Sequence, residues 1–248
     1  MSERNAPDLS VIIACYNEEP HLETSVLELI ATLERTIWSV ELVFVEDAST
    51  DRTREVLERV LNKLGERMPM RALFHQRNAG RGQTVMDGMR ASAGRVVGFL
   101  DIDLEVGPQY IPALVRAIEE GADVAIAHRV YRLTASPAFL VRHVLSRGYR
   151  WLSGSWLGLG GLDTEAGFKF FERSKLMPLL DRCRDPGWFW DTEIMALARL
   201  GGLRIAEVPC LFQRRADKRS TLRVLPATLD YARKLVAFRR RMRESGPR

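Results

Sequence analysis

Residues 96–105, Val-Val-Gly-Phe-Leu-Asp-Ile-Asp-Leu-Glu, carry chemistry that can be read directly from the chain. A short apolar run of buried-strand type stops at two carboxylates, Asp101 and Asp103, and a Gly107-Pro108 turn follows. Two aspartates one residue apart, where a strand gives way to a loop, can both reach a hard divalent cation. Such a cation keeps open positions for phosphate oxygens, as a nucleoside diphosphate requires. The same pair also fits a helix N-terminus, with Asp103 capping whatever follows Pro108. The elements around the pair weigh on that choice.

Leu9 to Cys15 is a continuous apolar, β-branched run. It is followed by polar Tyr16-Asn17-Glu18 and then by Leu22, Val26, Leu27, Ile30 and Leu33 at helical spacing. Val40 to Val45 repeats the strand pattern and closes in Glu46 to Asp51, with Ser49 or Thr50 able to cap a helix carrying Val56, Leu57, Val60, Leu61 and Leu64. Arg71 to His75 is a shorter strand, 76–82 a polar loop, and Thr84 to Ser92 a helix, after which comes the strand ending at Asp101. Beyond it the pattern gives a helix over 112–120 and a strand from Asp123 to Ala127 that ends in His128-Arg129. A strand over 168–171, helices over 174–180 and 188–200, and a strand over 204–208 follow. Strands buried on both faces and alternating with helices predict an α/β fold, an open, mostly parallel sheet with helices on both faces. Ligands of such sheets bind at the carboxyl ends of the strands. The segments 16–18, 46–51, 77–82 and 101–105 all follow strands and so should converge on that one edge.

With 46% hydrophobic residues in 248, the chain can bury a sizeable core. Cys15, Cys183 and Cys210 are too scattered for a disulfide framework or a metal cluster, which suits a reducing compartment. No apolar run reaches the roughly 20 residues of a membrane span, and the polar start does not read as a signal peptide. The net charge of +5 is uneven: residues 214–248 hold twelve Arg or Lys against three acids, which leaves −4 for the rest. Leu222 to Met242 sets Leu225, Leu229, Leu235, Val236 and Phe238 among arginines, a basic amphipathic helix that suits an anionic membrane interface or packing on the sheet. The apolar, glycine-rich stretch Trp151 to Leu162 reads either as the lining of a lipid groove or as a loop over the core. Nucleic acid is a poor partner for an edge with four carboxylate-bearing loops, because carboxylates repel a phosphate backbone.

Four segments together resemble the family 2 inverting glycosyltransferases, which use nucleotide sugars and share the GT-A fold. They are Val11-Ile12-Ile13-Ala14-Cys15-Tyr16-Asn17-Glu18, Val45-Glu46-Asp47-Ala48-Ser49-Thr50-Asp51, Arg77-Asn78-Ala79-Gly80-Arg81-Gly82 and Asp101-Ile102-Asp103-Leu104. Ser146-Arg147, Asp163 to Lys169, Trp190-Asp191-Thr192-Glu193 and Glu207-Val208-Pro209 are similar to the branch of dolichyl-phosphate mannose synthases and dolichyl-phosphate glucosyltransferases. The resemblance covers about residues 9–221, and it implies a GT-A catalytic domain over 1–221 followed by a basic amphipathic helix or tail over 222–248.

The same resemblance implies roles. Tyr16, Asn17, Glu18, Asp47, Asn78, Gly80, Arg81, Gly82, Asp101, Ile102 and Asp103 would surround the nucleotide sugar, a GDP- or UDP-hexose. Within that set Glu18 would accept from ribose hydroxyls and Asp47 from a base N–H, while Gly80 and Gly82 would let backbone approach the donor. Asp101 and Asp103 would hold Mg2+ or Mn2+. Glu105, Arg129, Arg142, Arg147, Arg215 and Lys218 would face a polyprenyl phosphate acceptor at the cytoplasmic face of a membrane. Asp191 and Glu193 would orient the sugar or an arginine, or act as a base if the acceptor is instead a soluble hydroxyl compound. Ala48 stands where many members carry glycine, and Ala127-His128-Arg129 replaces a commoner Gly-Ser-Arg.

Overall fold

The computed structural model describes residues 6–131, 157–213 and 224–244. The apolar runs form one seven-stranded sheet: β1 Leu9–Cys15, β2 Val40–Glu46, β3 Met70–Phe74, β4 Val96–Leu100, β5 Val124–Tyr131, β6 Phe168–Glu172 and β7 Ile205–Phe212. Their spatial order is β3-β2-β1-β4-β6-β5-β7. β1 lies parallel to β2 along its whole length, from Leu9 opposite Val40 to Cys15 opposite Glu46, and parallel to β4 on its other side. Chain order therefore reverses direction across the sheet at β1, the place where the loops leaving two neighbouring strands part to form a crevice.

The α/β architecture is the one that the strand and helix alternation predicts, with one difference in direction. β6 is antiparallel both to β4 and to β5, while β5 and β7 pair in parallel. Six strands therefore end on one edge and β6 begins there. β5 and β7 also run on past Ala127 and Val208, because they match residue for residue out to Tyr131 opposite Phe212. Arg129 is accordingly a strand residue and not part of a loop.

Seven α-helices cover the sheet among the described residues. α1 Leu22–Leu33, α2 Thr53–Leu64 and α4 Ile111–Glu119 share one core with Leu9, Val11, Ile13, Leu42, Phe44, Phe168 and Phe170. α3 Arg81–Ala91, α5 Arg173–Leu180, α6 Trp190–Leu200 and α7 Val224–Glu244 share the other with Ile12, Val43, Val97, Phe99 and Phe171. Side chains that alternate along each strand supply both cores. α2 opens at Thr53 and not nearer Asp51, and its first N–H is received by Asp51 Oδ1 at 2.9 Å instead of by Ser49 or Thr50. Leu157 and Leu159, from the apolar glycine-rich stretch, are buried in the second core, while its residues 151–156 lie outside the described residues. α7 turns Leu235 and Phe238 into the same core, Tyr231 donates to the Trp188 carbonyl, and Val236 faces outward. No helix among the described residues is long and apolar enough to cross a membrane.

Gly98 shows how tightly the sheet meets its core: a Cβ there would overlap the Phe170 ring on the neighbouring strand. Gly98→Ala should destabilise the fold by about 2–3 kcal/mol through overpacking, read as a shift of the urea midpoint with an unchanged slope.

Candidate active site

The four polar loops do meet on one edge, and specific bonds tie each to the next. Asn17 Oδ1 accepts from the Thr50 N–H at 2.8 Å, and the Asn17 N–H donates to Ser49 Oγ at 3.0 Å, which joins the loops after β1 and β2. The Asp47 carboxylate accepts from Ala79 N at 2.7 Å and Gly80 N at 3.0 Å, and Asn78 Nδ2 donates to the Asp47 carbonyl at 3.2 Å. His75 Nδ1 lies 2.7 Å from the same carboxylate. Arg81, the first residue of α3, then reaches the loop after β4 through Asp101. Among the described residues, the three non-glycine residues with left-handed backbone are Asn17, Ala48 and Leu104, with φ of 57°, 54° and 52°, one in each loop after β1, β2 and β4. Backbone held in this region costs about 1–3 kcal/mol per residue and collects at functional edges.

At the centre stands a row of alternating charges. Arg81 donates to Asp101 Oδ1 from Nε at 3.2 Å and from Nη2 at 2.7 Å, while its Nη1 bonds Asp191 Oδ2. Asp191 Oδ1 receives Lys169 Nζ at 2.5 Å, and that ammonium also donates to the Ala166 carbonyl. The Arg81 guanidinium lies 4.9 Å from the centre of the Trp188 ring and 5.4 Å from that of Phe99, so aromatic faces complete its cradle. Burial works against the charge on Arg81, but Asp101 and Asp191 outweigh it and its pKa moves up. Burial prevails at Lys169, whose pKa moves down in spite of Asp191. Asp101 is pushed up by the protein packed around it, against the pull of Arg81 and with the push of Asp103.

Asp101 and Asp103 flank a tight turn in which Leu104 N donates to the Asp101 carbonyl at 3.1 Å and Glu105 N to Asp103 Oδ1 at 3.3 Å. The Asp101 side chain is 43% exposed at the mouth of this turn. Gly167, just before β6, accepts the Asp101 N–H on its carbonyl, and a Cβ at Gly167 would overlap Asp101 Oδ2. That glycine makes the space in which the carboxylate sits. Two hard carboxylates on one turn, one of them open to solvent, are the donor set through which Mg2+ or Mn2+ is held together with phosphate oxygens. The residues therefore fit such an ion.

Other expected site residues take different positions. Gly80 and Gly82 are glycines because the 185–187 segment lies against them: a Cβ at Gly80 would come within 2.6 Å of the Pro186 carbonyl, and one at Gly82 within 2.6 Å of the Gly187 carbonyl. Packing against that segment by itself calls for glycine at both positions. Ile102 is buried in the core below the edge, and Glu18 is 8% exposed with its N–H on Thr53 Oγ1. Tyr16 stands out from the edge, 45% exposed. Glu193 faces away from the row of charges: Oε2 accepts from Arg184 N and Asp185 N at 2.9 and 2.8 Å, and Oε1 bonds Arg241 of α7. Its geometry is that of a brace that holds an arginine and a stretch of backbone.

On the other side of the crevice Arg129 forms a two-pronged pair with buried Asp163, Nε and Nη2 each at 2.7 Å. Burial opposes its charge, Asp163 more than restores it, and the pKa rises. Its guanidinium lies 5.9 Å from the ring centres of Tyr131 and Phe212. Val106 bridges to Phe212, and the Glu105 carbonyl accepts from Gln213 N at 2.7 Å, so the aspartate turn and the end of β7 are joined. Arg142, Arg147, Arg215 and Lys218 lie outside the described residues. Sequence reasoning quoted the segment Asp163 to Lys169 without assigning a role to Asp163, Gly167 or Lys169, and it passed over His75. For Lys169 a signal was present, a lysine inside the strand run Phe-Lys-Phe-Phe, where a charge must have a partner.

Comparison with known proteins agrees with this fold. The family model described as Glycosyl transferase family 2 matches residues 10–179, more than half of the chain. Glycosyltransferase AglD of Haloferax volcanii is 29% identical over 218 residues, 87% of this chain and 34% of the relative. A dolichol-phosphate mannosyltransferase of Pyrococcus furiosus is 33% identical over 123 residues, 49% of this chain and 33% of the relative. The chain thus spans about a third of the length of the curated relatives it matches. Glucosyl-3-phosphoglycerate synthase from Mycobacterium tuberculosis, solved with UDP, superposes with a TM-score of 0.70 at 23% identity, covering 94% of this chain and 80% of that one. The same synthase solved with Mg2+ and UDP gives 0.67 at 22% identity, over 94% and 78%. The fold is therefore the GT-A fold, and the chain belongs to glycosyl transferase family 2.

Proposed function

We propose that the chain moves a hexose from a GDP- or UDP-sugar to a polyprenyl phosphate, with inversion at the anomeric carbon. The observation that carries this reading is the commitment of both carboxylates that might have served as a base. Asp191 is bonded to Arg81 and Lys169, and Glu193 to two backbone N–H groups and Arg241. An alcohol acceptor must lose a proton in order to attack. A phosphate acceptor arrives as an oxyanion and needs cations instead, and Arg129 on β5 is the one we assign to it among the described residues. One acceptor phosphate oxygen forms the new bond to the anomeric carbon as the bond to the donor diphosphate breaks. The electron pair leaves with the nucleoside diphosphate, and no proton is transferred.

Asp101 and Asp103 would hold Mg2+ or Mn2+, and crystals of the mycobacterial synthase contain one or the other with UDP. Such an ion, when bound, offsets the negative charge that grows on the departing diphosphate. Tyr16, at the exposed rim after β1, would cover a base, and Asp47, which holds the 78–80 loop, would act by setting the position of that loop beside the donor. The name of the Pyrococcus relative supports the lipid phosphate as acceptor.

The outward face of α7 is the part that would meet the membrane. Ala232, Val236 and Ala237 line a shallow groove beside Arg233 and Arg240, and Val236 is 53% exposed. A small apolar stripe edged by arginines suits the headgroup region of an anionic bilayer.

Three measurements test this reading. Purified protein incubated with Mn2+, labelled UDP- and GDP-sugars and a short polyprenyl phosphate should place label in the organic phase from one donor. Label released only when a soluble hydroxyl acceptor is added would overturn the phosphate reading. Asp101→Ala should lower that transfer at least ~100-fold, and Gly167→Ala should lower it about 10-fold by pushing the Asp101 carboxylate out of place. In sedimentation, vesicles containing phosphatidylglycerol should carry the protein down at low salt and release it at high salt. Arg233→Glu should weaken that binding by about 1 kcal/mol or more.

Strain in the loop after β2 gives a further expectation. Ala48→Gly should raise stability by about 0.5–1 kcal/mol, since glycine meets no steric penalty in left-handed backbone. Thermal melting of the two proteins would show it.

A further inference from the structure

Lys169 is the charge that the proposed reaction does not use. It is fully buried on the only antiparallel strand among the described residues, with its ammonium between the Ala166 carbonyl and Asp191 Oδ1 and 5.2 Å from the centre of the Phe99 ring. Its effect follows from the geometry around Asp191. That carboxylate has two oxygens: Lys169 holds Oδ1, so only Oδ2 remains for Arg81. Arg81 in turn brings Nε and Nη2 to a single oxygen of Asp101. The guanidinium is divided between two anions, and the division depends on Asp191 being half neutralised. A fully charged, buried Asp191 with no second cation would draw the guanidinium into a two-pronged pair and away from Asp101.

We propose that Lys169 is a positioning residue: by occupying one oxygen of Asp191, it keeps Arg81 shared between Asp191 and Asp101, at the edge where a diphosphate binds. This rests on the reading of Asp101 as part of the donor site. The arrangement sets a competition. A divalent cation arriving at Asp101 competes with Arg81 for the charge of this carboxylate, and a diphosphate arriving with it offers the guanidinium a new anion in the same place. Lys169 thereby weakens the binding of metal alone and favours the binding of metal with nucleotide.

The test uses Mn2+ as probe, followed by electron paramagnetic resonance, with UDP and GDP titrated separately at saturating Mn2+. Lys169→Met keeps the length of the side chain and removes the charge; circular dichroism and a melting curve establish that the variant is folded. Two changes of opposite sign are expected: Mn2+ alone binds about 3- to 10-fold tighter, and the nucleoside diphosphate binds about 10-fold weaker. Weakening of both, as a loosened site would give, overturns the inference, and so does a change in neither beyond about 2-fold.

If Lys169→Met fails to fold, the double variant K169M/D191N removes the buried pair together. Arg81 is then left with Asp101 as its partner in this row, and Mn2+ alone should bind more weakly than to the unaltered protein. Equal or tighter binding would sink the proposal. Asp101→Ala separates the two levels. If it leaves Mn2+ binding unchanged, the donor-site reading fails and this inference with it. If it abolishes Mn2+ binding while Lys169→Met is silent, only the role of Lys169 fails.

Discussion

Removing a charged side chain from water carries a penalty of several kcal/mol per ion unless an opposite charge and hydrogen bonds meet it. The carboxyl edge of this sheet sets three such groups in sequence, Arg81, Asp191 and Lys169, and the solvent-facing Asp101 continues the row, each against a partner of opposite sign. These residues come from the loop after β4, the start of α3, the start of α6 and the middle of β6. No two of them share a segment. Satisfying the charges therefore fixes how the sheet meets the helix layer on one of its faces, and the aspartate turn inherits its position from that meeting. The buried row acts as a frame for the site before any ligand arrives.

A second constraint lies in the loops. Hydrogen bonds between side chain and backbone link the loops after β1, β2 and β3, and they surround two non-glycine residues in left-handed backbone, Asn17 and Ala48. Such conformations persist only where the surroundings over-determine them. Here the surroundings are the neighbouring loops themselves, so the edge is rigid because each loop is the template of the next. Asp47 is central to this. Its carboxylate takes two backbone N–H groups of the 78–80 loop and faces His75, and the loop in turn delivers Arg81.

The convergence of these loops was legible in the sequence because it depends only on the alternation of buried strands with helices. The pair Asp101 and Asp103 was legible for the same reason, since an apolar run that stops at two acids can deliver them only to an edge. What could not be read was the partner of each charge. Asp191 and Glu193 stand two residues apart in one helix and look alike in the chain, yet one turns toward Arg81 and the other toward the 184–185 backbone and α7. Gly80 and Gly82 announce a close approach, but not that the approaching group is the 185–187 segment. The reversal of β6 was hidden as well, because an apolar run of this kind fits a sheet in either direction.

β6 also illustrates what a single buried charge does for a folding chain. Phe168 and Phe170 face one core and Phe171 the other, so by apolar content alone a shift of one residue would exchange one set of phenylalanines for another. Lys169 removes that ambiguity. Pairing opposite Phe99 and Ile126 puts its ammonium beside Asp191, whereas a shifted pairing would press it into a layer of aliphatic side chains without an anion. The lysine works as a fiducial mark for the strand that closes the centre of the sheet, and an error in its alignment would be rejected during folding.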